Sequence, residues 1–546
     1  MTLERKRKLV TLGTLCFALF MVMLDSTVVN LALPTIQRDL HAGISELQWI
    51  VDAFVLALAS LLLTGGTLGD MFGRRRAFMT GVVLFTGGSV ICALAPNTTL
   101  LIAARALQGV GGAVMLPSTL SIITNTFRDP KERARAIGLW AGISGLALAI
   151  GPLVGGTMVD AWGWQSIFWI NLPIGLLALV MATLFVPESS DRAGRSLDLV
   201  GQLTAVVGLA TLTYAFIEAN TYGWTSARIL TCFVVAAVSL TAFVLIEWRS
   251  PTPMLQLKFF RNLTFSGANI VGVIVSFGFF GVIFFLSLFM QEVQGYTPTQ
   301  AGVRQLPVSL AVMVMAIVAG RITARVGARF PVTVGLLVAG TALLLMTTVQ
   351  ADTTYSSYWY ILLIMGIGTG LIMAPMTTAI MGSVPPARAG MASATSNTMR
   401  QVGSVFGIAV LGNIVTRSFT HHLQDALVAL HLPARVSQGI LAMAGQGRQG
   451  AGGKLPPGVD PAKIGHVIGV SFTSGIHVAL WISGIMLLVG APIAYTMIRG
   501  LTPHEQSQAL AAARTEAEAE KARGVAAPID DEQVAAVLVG VDSGEA

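Results

Sequence analysis

Three ionisable residues, Asp25, Asp52 and Arg105, stand inside long apolar runs, where a charge is costly enough to mark function by default. Two carboxylates beside one guanidinium share protons as a coupled set, and such a set can take up a proton on one side of a barrier and lose it on the other. An alternative stays open for each, and Asp25 could be no more than a hydrogen-bond partner between helices. Asp52 is close enough to a helix end to be solvated at the interface, and Arg105 could clamp backbone carbonyls. Uncharged polar residues in similar runs, Asn30, Gln108, Asn269, Gln291, Asn397 and Gln401, are candidates to line a cavity, or equally to hydrogen-bond neighbouring helices. Two strings carry geometry rather than reactivity. In the first, the string from Gly66 to Arg76, Gly69 and Gly73 permit a tight connection, Arg74, Arg75 and Arg76 anchor it, and Asp70 can pair with a helix end or a loop arginine. In the second, Gly151 and Pro152 bend a helix while Gly155 and Gly156 let another approach closely.

Covalent and nucleotide chemistry have no support. The chain lacks a phosphate-binding Gly-rich Lys-Ser/Thr string and any HExxH, GxSxG or CxxC constellation in a plausible setting. Cys16, Cys92 and Cys232 all fall in apolar runs, giving neither a disulfide framework nor metal-ligand spacing. No enzyme activity, metal or cofactor is expected.

The elements that must position these residues follow from composition. Of 546 residues, 54% are apolar and 11% charged, which excludes a typical soluble enzyme and a disordered chain. A helix needs about 20 mostly apolar residues to span the bilayer. Fourteen segments qualify: 10–33, 47–68, 77–95, 99–123, 134–158, 166–186, 198–217, 228–247, 264–290, 303–323, 332–349, 358–381, 391–416 and 472–497. At 1.5 Å per residue, Asp25 lies ~24 Å up the first helix, and Asp52 and Arg105 lie ~8 and ~9 Å below the outer ends of theirs, so a cluster facing a central cavity is expected.

Basic residues give the orientation. With the N-terminus in the cytoplasm, tails and short loops on that side hold 24 Lys and Arg against 3 in short outer loops, so both termini are predicted to be cytoplasmic in a cell membrane. The formal net charge of +7 therefore reflects a basic inner rim, offset by a tail that is net −6 from Pro503 onward, and does not indicate nucleic acid. Residues 417–470 read as a long extracellular loop, rich in Gly, Gln and Pro.

An internal repeat divides the chain. Gly66, Gly73 and Arg75 recur as Gly320, Gly327 and Arg329 at an offset of 254. The expected fold is all-α and polytopic, with two six-helix bundles plus two inserted helices. Its parts are a basic N-terminus (1–9), a first bundle (10–190), an inserted pair (191–250), a second bundle (251–500) and an acidic tail (501–546).

Several strings resemble signatures of the major facilitator superfamily. Gly66 to Arg76 is similar to its loop signature, Arg105-Ala-Leu-Gln108-Gly109-Val-Gly111 to its fourth-helix signature, and Gly151-Pro152-Leu-Val-Gly155-Gly156 to its antiporter signature. Leu24-Asp25 to Pro34 and Asn397-Thr-Met-Arg400-Gln401-Val-Gly403 resemble motifs of the fourteen-helix drug/proton antiporter branch. Gln165 stands where relatives commonly have Arg, and Ala147 where they often have Gly. The resemblance implies a monomeric exporter of small amphipathic, antibiotic-like compounds, driven by protons through Asp25 and Arg105, with the Gly66–Arg76 loop as a latch between states. A dedicated exporter of one endogenous lipid, siderophore, amino acid or secondary metabolite is the alternative; a membrane sensor or scaffold is more remote.

Overall fold

The computed structural model describes residues 3–127, 129–190, 198–250, 253, 255–384, 389–432, 434–445 and 461–499. The acidic tail, the 191–197 connection with Arg192 and Arg195, and Arg388 lie outside the described residues.

Every regular element among the described residues is a helix, and fourteen segments are long and apolar enough to cross a membrane. The first group comprises α1 (Leu3–Leu40), α2 (Ile44–Phe72), α3 (Arg74–Ala93), α4 (Thr98–Thr126), α5 (Pro130–Trp162), the short α6 (Ser166–Trp169) and α7 (Asn171–Phe185). Then come α8 (Leu199–Tyr222) and α9 (Ala227–Arg249), which pack on each other. The second group is α10 (Leu263–Leu288), extended by a π turn (Phe289–Val293), α11 (Pro298–Val326), α12 (Arg329–Met346), α13 (Trp359–Gly382), α14 (Ala389–Ala429), α15 (Ala434–Gly445) and α16 (Pro461–Met497).

Helix pairing in the first group recurs in the second. There α2 and α3 pack on α4, α1 on α5, and α7 on both α1 and α3; correspondingly α11 and α12 pack on α13, α10 on α14, and α16 on both α10 and α12. The repeat reaches single residues. Gly73 (φ 112°) joins α2 to α3, and Gly327 (φ 76°), 254 positions later, joins α11 to α12, each in the left-handed region that a side chain disfavours. The two groups meet along α5 with α11 and α2 with α14, and α8 lies against both α2 and α14. Outward-facing Leu230, Val234 and Val238 on α9 stay exposed, as side chains in contact with lipid must.

The expected 417–470 loop is corrected. Helix α14 continues to Ala429, α15 follows, and α16 begins at Pro461, so only 446–460 of this segment, with Pro433, lies outside the described residues. Val415, Phe419, Leu423 and Leu427 repeat every fourth residue and are buried, and Phe419 meets Phe472 of α16 edge-to-face at 5.7 Å. Hydropathy misses this extension because polar residues, including His421 and His422, cover its other face. Arg38 stands in the last turn of α1, where its Nε donates to the Pro34 carbonyl at 3.2 Å.

Candidate functional site

The polar centre is assembled inside the first group of helices. Arg105 (α4) donates from Nη1 to Asp25 Oδ2 (α1) at 2.5 Å and to Gln108 Oε1 at 2.8 Å, and from Nε to the Ile50 carbonyl of α2 at 3.0 Å. Asn171, at the start of α7, donates to Asp25 Oδ1 at 3.1 Å and to Ser89 Oγ at 2.8 Å. Gln108 Nε2 donates to the same serine at 2.8 Å, and the Cys92 thiol to Gln108 Oε1 at 3.3 Å. The Arg105 guanidinium also lies 4.4 Å from the centre of the Phe54 ring. Asp25 and Arg105 are each 1% exposed, so the pair is sealed from solvent and its charge is balanced by named partners alone.

Sequence reasoning found Asp25, Arg105 and Gln108 and missed Asn171 and Ser89. Asn171 had a usable signal, an amide at the head of an apolar helix directly after a break; a serine in an apolar run carries almost none.

The expected cluster of three charges is corrected. Asp52 is fully buried, yet among the described residues neither carboxylate oxygen has a hydrogen-bond partner, and it stands outside the Asp25–Arg105 network. It lies one turn along α2 from Gln48, whose amide crosses to the Ile408 carbonyl of α14 at 2.8 Å. Positions four apart share a helix face, so Asp52 lies on the face of α2 that carries Gln48, while the Ile50 carbonyl serves Arg105. Nor do Asp25 and Arg105 face an open cavity in this conformation.

Other candidates divide by role. The Asn30 carbonyl accepts from Ser287 Oγ at 2.7 Å, and Gln291 Nε2 donates to the Leu31 carbonyl at 3.0 Å, tying α1 to α10 and its π turn. Asn269 bonds back to the Phe265 carbonyl of its own helix at 2.8 Å and to nothing else among the described residues. Asn397 and Gln401 are half-buried on α14 and make no hydrogen bond among the described residues. In the first loop Asp70 accepts from Arg74 Nε at 2.8 Å, and Gly66 lies beside Pro117 of α4. Glu188, absent from the sequence reading, accepts the Arg75 amide at 3.0 Å, and the Ser189 carbonyl accepts the Arg74 amide at 2.8 Å. The segment after α7 thus caps the start of α3.

Gly151, Pro152, Gly155 and Gly156 form a seam. A Cβ on Gly151 would fall 2.0 Å from Thr27 Oγ1, and one on Gly155 2.8 Å from Val28 Cβ, so α5 lies directly on α1 just past Asp25. On its other side, a Cβ on Gly156 would fall 2.4 Å from the Pro298 carbonyl oxygen, and one on Gly302 2.1 Å from that of Pro152. Asp160 completes this contact by accepting the Thr299 amide at 2.8 Å and the Thr297 hydroxyl at 2.9 Å, across to the first turn of α11. At the other ends of the same helices, a Cβ on Gly138, Gly142 or Gly145 of α5, or on Gly320 of α11, would meet nothing within 4 Å. Asp160→Ala should weaken this end of the seam by about 1 kcal/mol, roughly fivefold in its closed population. Cross-linking of cysteines placed on the facing ends of α5 and α11 would read it; an unchanged yield would show that the cap contributes nothing.

Two groups of six spans with one pairing pattern, a further pair between them, and a charge pair enclosed in one group have the architecture of a polytopic membrane transporter. The chain belongs to the Major Facilitator Superfamily, whose family model matches residues 15–408. It is 37% identical over 495 residues to multidrug resistance protein Stp of Mycobacterium tuberculosis, covering 89% of this chain and 91% of that one. It is 39% identical over 428 residues to the methylenomycin A resistance protein of Streptomyces coelicolor (78% and 89% covered). With the tetracenomycin C resistance and export protein of Streptomyces glaucescens it shares 34% over 496 residues (90% and 91%). Among solved structures, a bacterial homolog of the human lysosomal transporter Spinster in an inward-facing, unoccupied conformation matches with TM-score 0.62 at 17% identity (90% and 97% covered). A D-xylose–proton symporter matches at 0.60 and 14% identity (90% and 98%). Both structural likenesses concern the fold. Membership of this family makes the protein a transporter rather than an enzyme, and its long apolar helices make it a multi-pass membrane protein.

Proposed function

We propose that the protein exports small amphipathic, antibiotic-like compounds across a cell membrane in exchange for protons, with both termini cytoplasmic. The observation that carries this reading is the sealed Asp25–Arg105 pair, joined to the inter-bundle seam by one stretch of α1. Within two turns after Asp25, Thr27 and Val28 underlie Gly151 and Gly155, and the Asn30 and Leu31 carbonyls accept from Ser287 and Gln291. Protonation of Asp25 removes the charge that holds Arg105, frees α1 to shift, and alters the seam that closes one end. Substrate bound between the bundles with Asp25 ionised would leave after that change, and loss of the proton on the inner side would reset the transporter.

A proton gradient suffices as the energy source, without a cofactor. Each proton crossing ~100 mV inward yields ~2.3 kcal/mol, enough for about 50-fold accumulation at one proton per substrate. The names of the three relatives support drugs as the cargo. Two of those names specify a single antibiotic, which favours a narrow-range exporter as the second reading; the breadth of resistance on expression separates the two.

The test is Asp25→Asn in everted membrane vesicles. Acid-driven uptake of a compound exported by the wild type should be lost, while the variant still reaches the membrane. Uptake at the normal rate would remove Asp25 from proton coupling.

A further inference from the structure

A second intramembrane arginine has no role in the site described above. Arg400 lies on α14, eleven residues after its start at Ala389, or ~16 Å along, near the middle of the span. Its stem runs between α10 and α13: Cγ is 3.3 Å from where a Cβ on Gly272 would sit, a position equally close to Met376 Sδ. Its Nε is buried without a hydrogen-bond partner among the described residues. Among the described residues the guanidinium makes no hydrogen bond and has no carboxylate within 4.0 Å. Arg105 is the contrast, with an aspartate, a glutamine and a backbone carbonyl all in place.

Asn397 and Gln401 stand beside Arg400 on the same helix. Asn397 is three residues before Arg400 and four before Gln401, spacings that put them on one flank of the helix. All three are half-buried, and neither amide is hydrogen-bonded among the described residues. A guanidinium remains protonated and presents a planar fork of donors; two free amides next to it add further donors. Such a set matches a planar anionic group with two oxygens, which it can hold bidentately.

We propose that Arg400, flanked by Asn397 and Gln401, is a specificity site in the second bundle that binds the carboxylate, or an equivalent pair of anionic oxygens, of an amphipathic substrate. That the occupant is a transported compound rests on the export reading above. The first bundle then manages the proton through a closed ion pair, while the second offers an unpaired cation to the cargo. Acidic and zwitterionic amphiphiles are bound in preference to their neutral analogues.

Binding alone tests this, with no gradient and no transport. The full-length protein in nanodiscs of zwitterionic lipid is titrated calorimetrically with 1-naphthylacetic acid, 1-naphthylacetamide and 1-naphthylethylamine. Wild type should favour the acid over the amide by about tenfold, the scale of a charge-assisted hydrogen bond. Arg400→Gln should erase that preference and leave the amine within about twofold, and Arg400→Lys should keep part of it. Three results would overturn the proposal: no preference for the acid in wild type, equal weakening of all three ligands in Arg400→Gln, or a preference abolished in phosphatidylglycerol nanodiscs. The last would assign the cation to a lipid headgroup. Failure of the export reading shows itself separately, as normal vesicle transport by Asp25→Asn, because the calorimetric preference does not depend on Asp25 coupling.

Discussion

Arg105→Ala is expected to destabilise the protein by about 3–5 kcal/mol, the cost of leaving one member of a buried ion pair alone. Three hydrogen bonds from its guanidinium disappear with the side chain, and the Asp25 carboxylate keeps only amide donors, Asn171 at 3.1 Å and Gln108 at 3.4 Å. Asp25 is 1% exposed, so water cannot make up the loss without the bundle opening. Adding Asp25→Asn removes the orphaned charge, and the double variant should recover most of the stability lost. The check is a double-mutant cycle on unfolding midpoints of detergent-purified protein at fixed detergent and heating rate. Strict additivity would mean that the pair is not coupled and that the short contact carries little energy.

Gly302→Val should have the largest effect on conformation. A Cβ at this position falls 2.1 Å from the Pro152 carbonyl oxygen and 2.9 Å from its carbon, and backbone atoms cannot move aside as a flexible side chain can. Closure of α5 on α11 as seen here is therefore incompatible with any side chain at 302. The closed arrangement should lose at least about 1.4 kcal/mol relative to the separated one, a tenfold change in population. Distances between spin labels on the ends of α5 and α11 should lengthen, and transport should fall with them. Gly320→Ala is the control on the same helix, since its Cβ meets nothing within 4 Å. If Gly302→Val keeps the wild-type distance distribution, the α5–α11 seam is not what holds this end closed.

Much of the architecture was legible in the chain because the bilayer imposes a simple requirement. Backbone polar groups must be satisfied within each span, so apolar runs of sufficient length become helices whatever their neighbours do. The fourteen spans and the Gly73–Gly327 repeat followed from that, and the expected boundaries were mainly too narrow. Helix α1, read as 10–33, extends over Leu3–Leu40. The extension of α14 escaped because its burial depends on α16: Phe419 needs Phe472, which lies 53 positions away.

The site was only half legible. Asp25 and Arg105 announced themselves because charge within an apolar run is conspicuous. Depth along a helix, which spacing gives, put Asp52 at nearly the same level; azimuth, which depends on how α2 rotates against α4 and α14, left it outside the Asp25–Arg105 network. Asn171 and Ser89 carry no charge, and they matter because α7 and α3 deliver them to the same carboxylate. By itself, then, the sequence determined the number of membrane-spanning helices, their internal repeat and the few charges placed within them, since those depend on local transfer of side chains and backbone from water. Tertiary structure alone decided which charges pair, which polar groups remain unpaired and which end of the bundle interface is closed, because hydrogen bonds and glycine contacts depend on rotations of whole helices that no local pattern records.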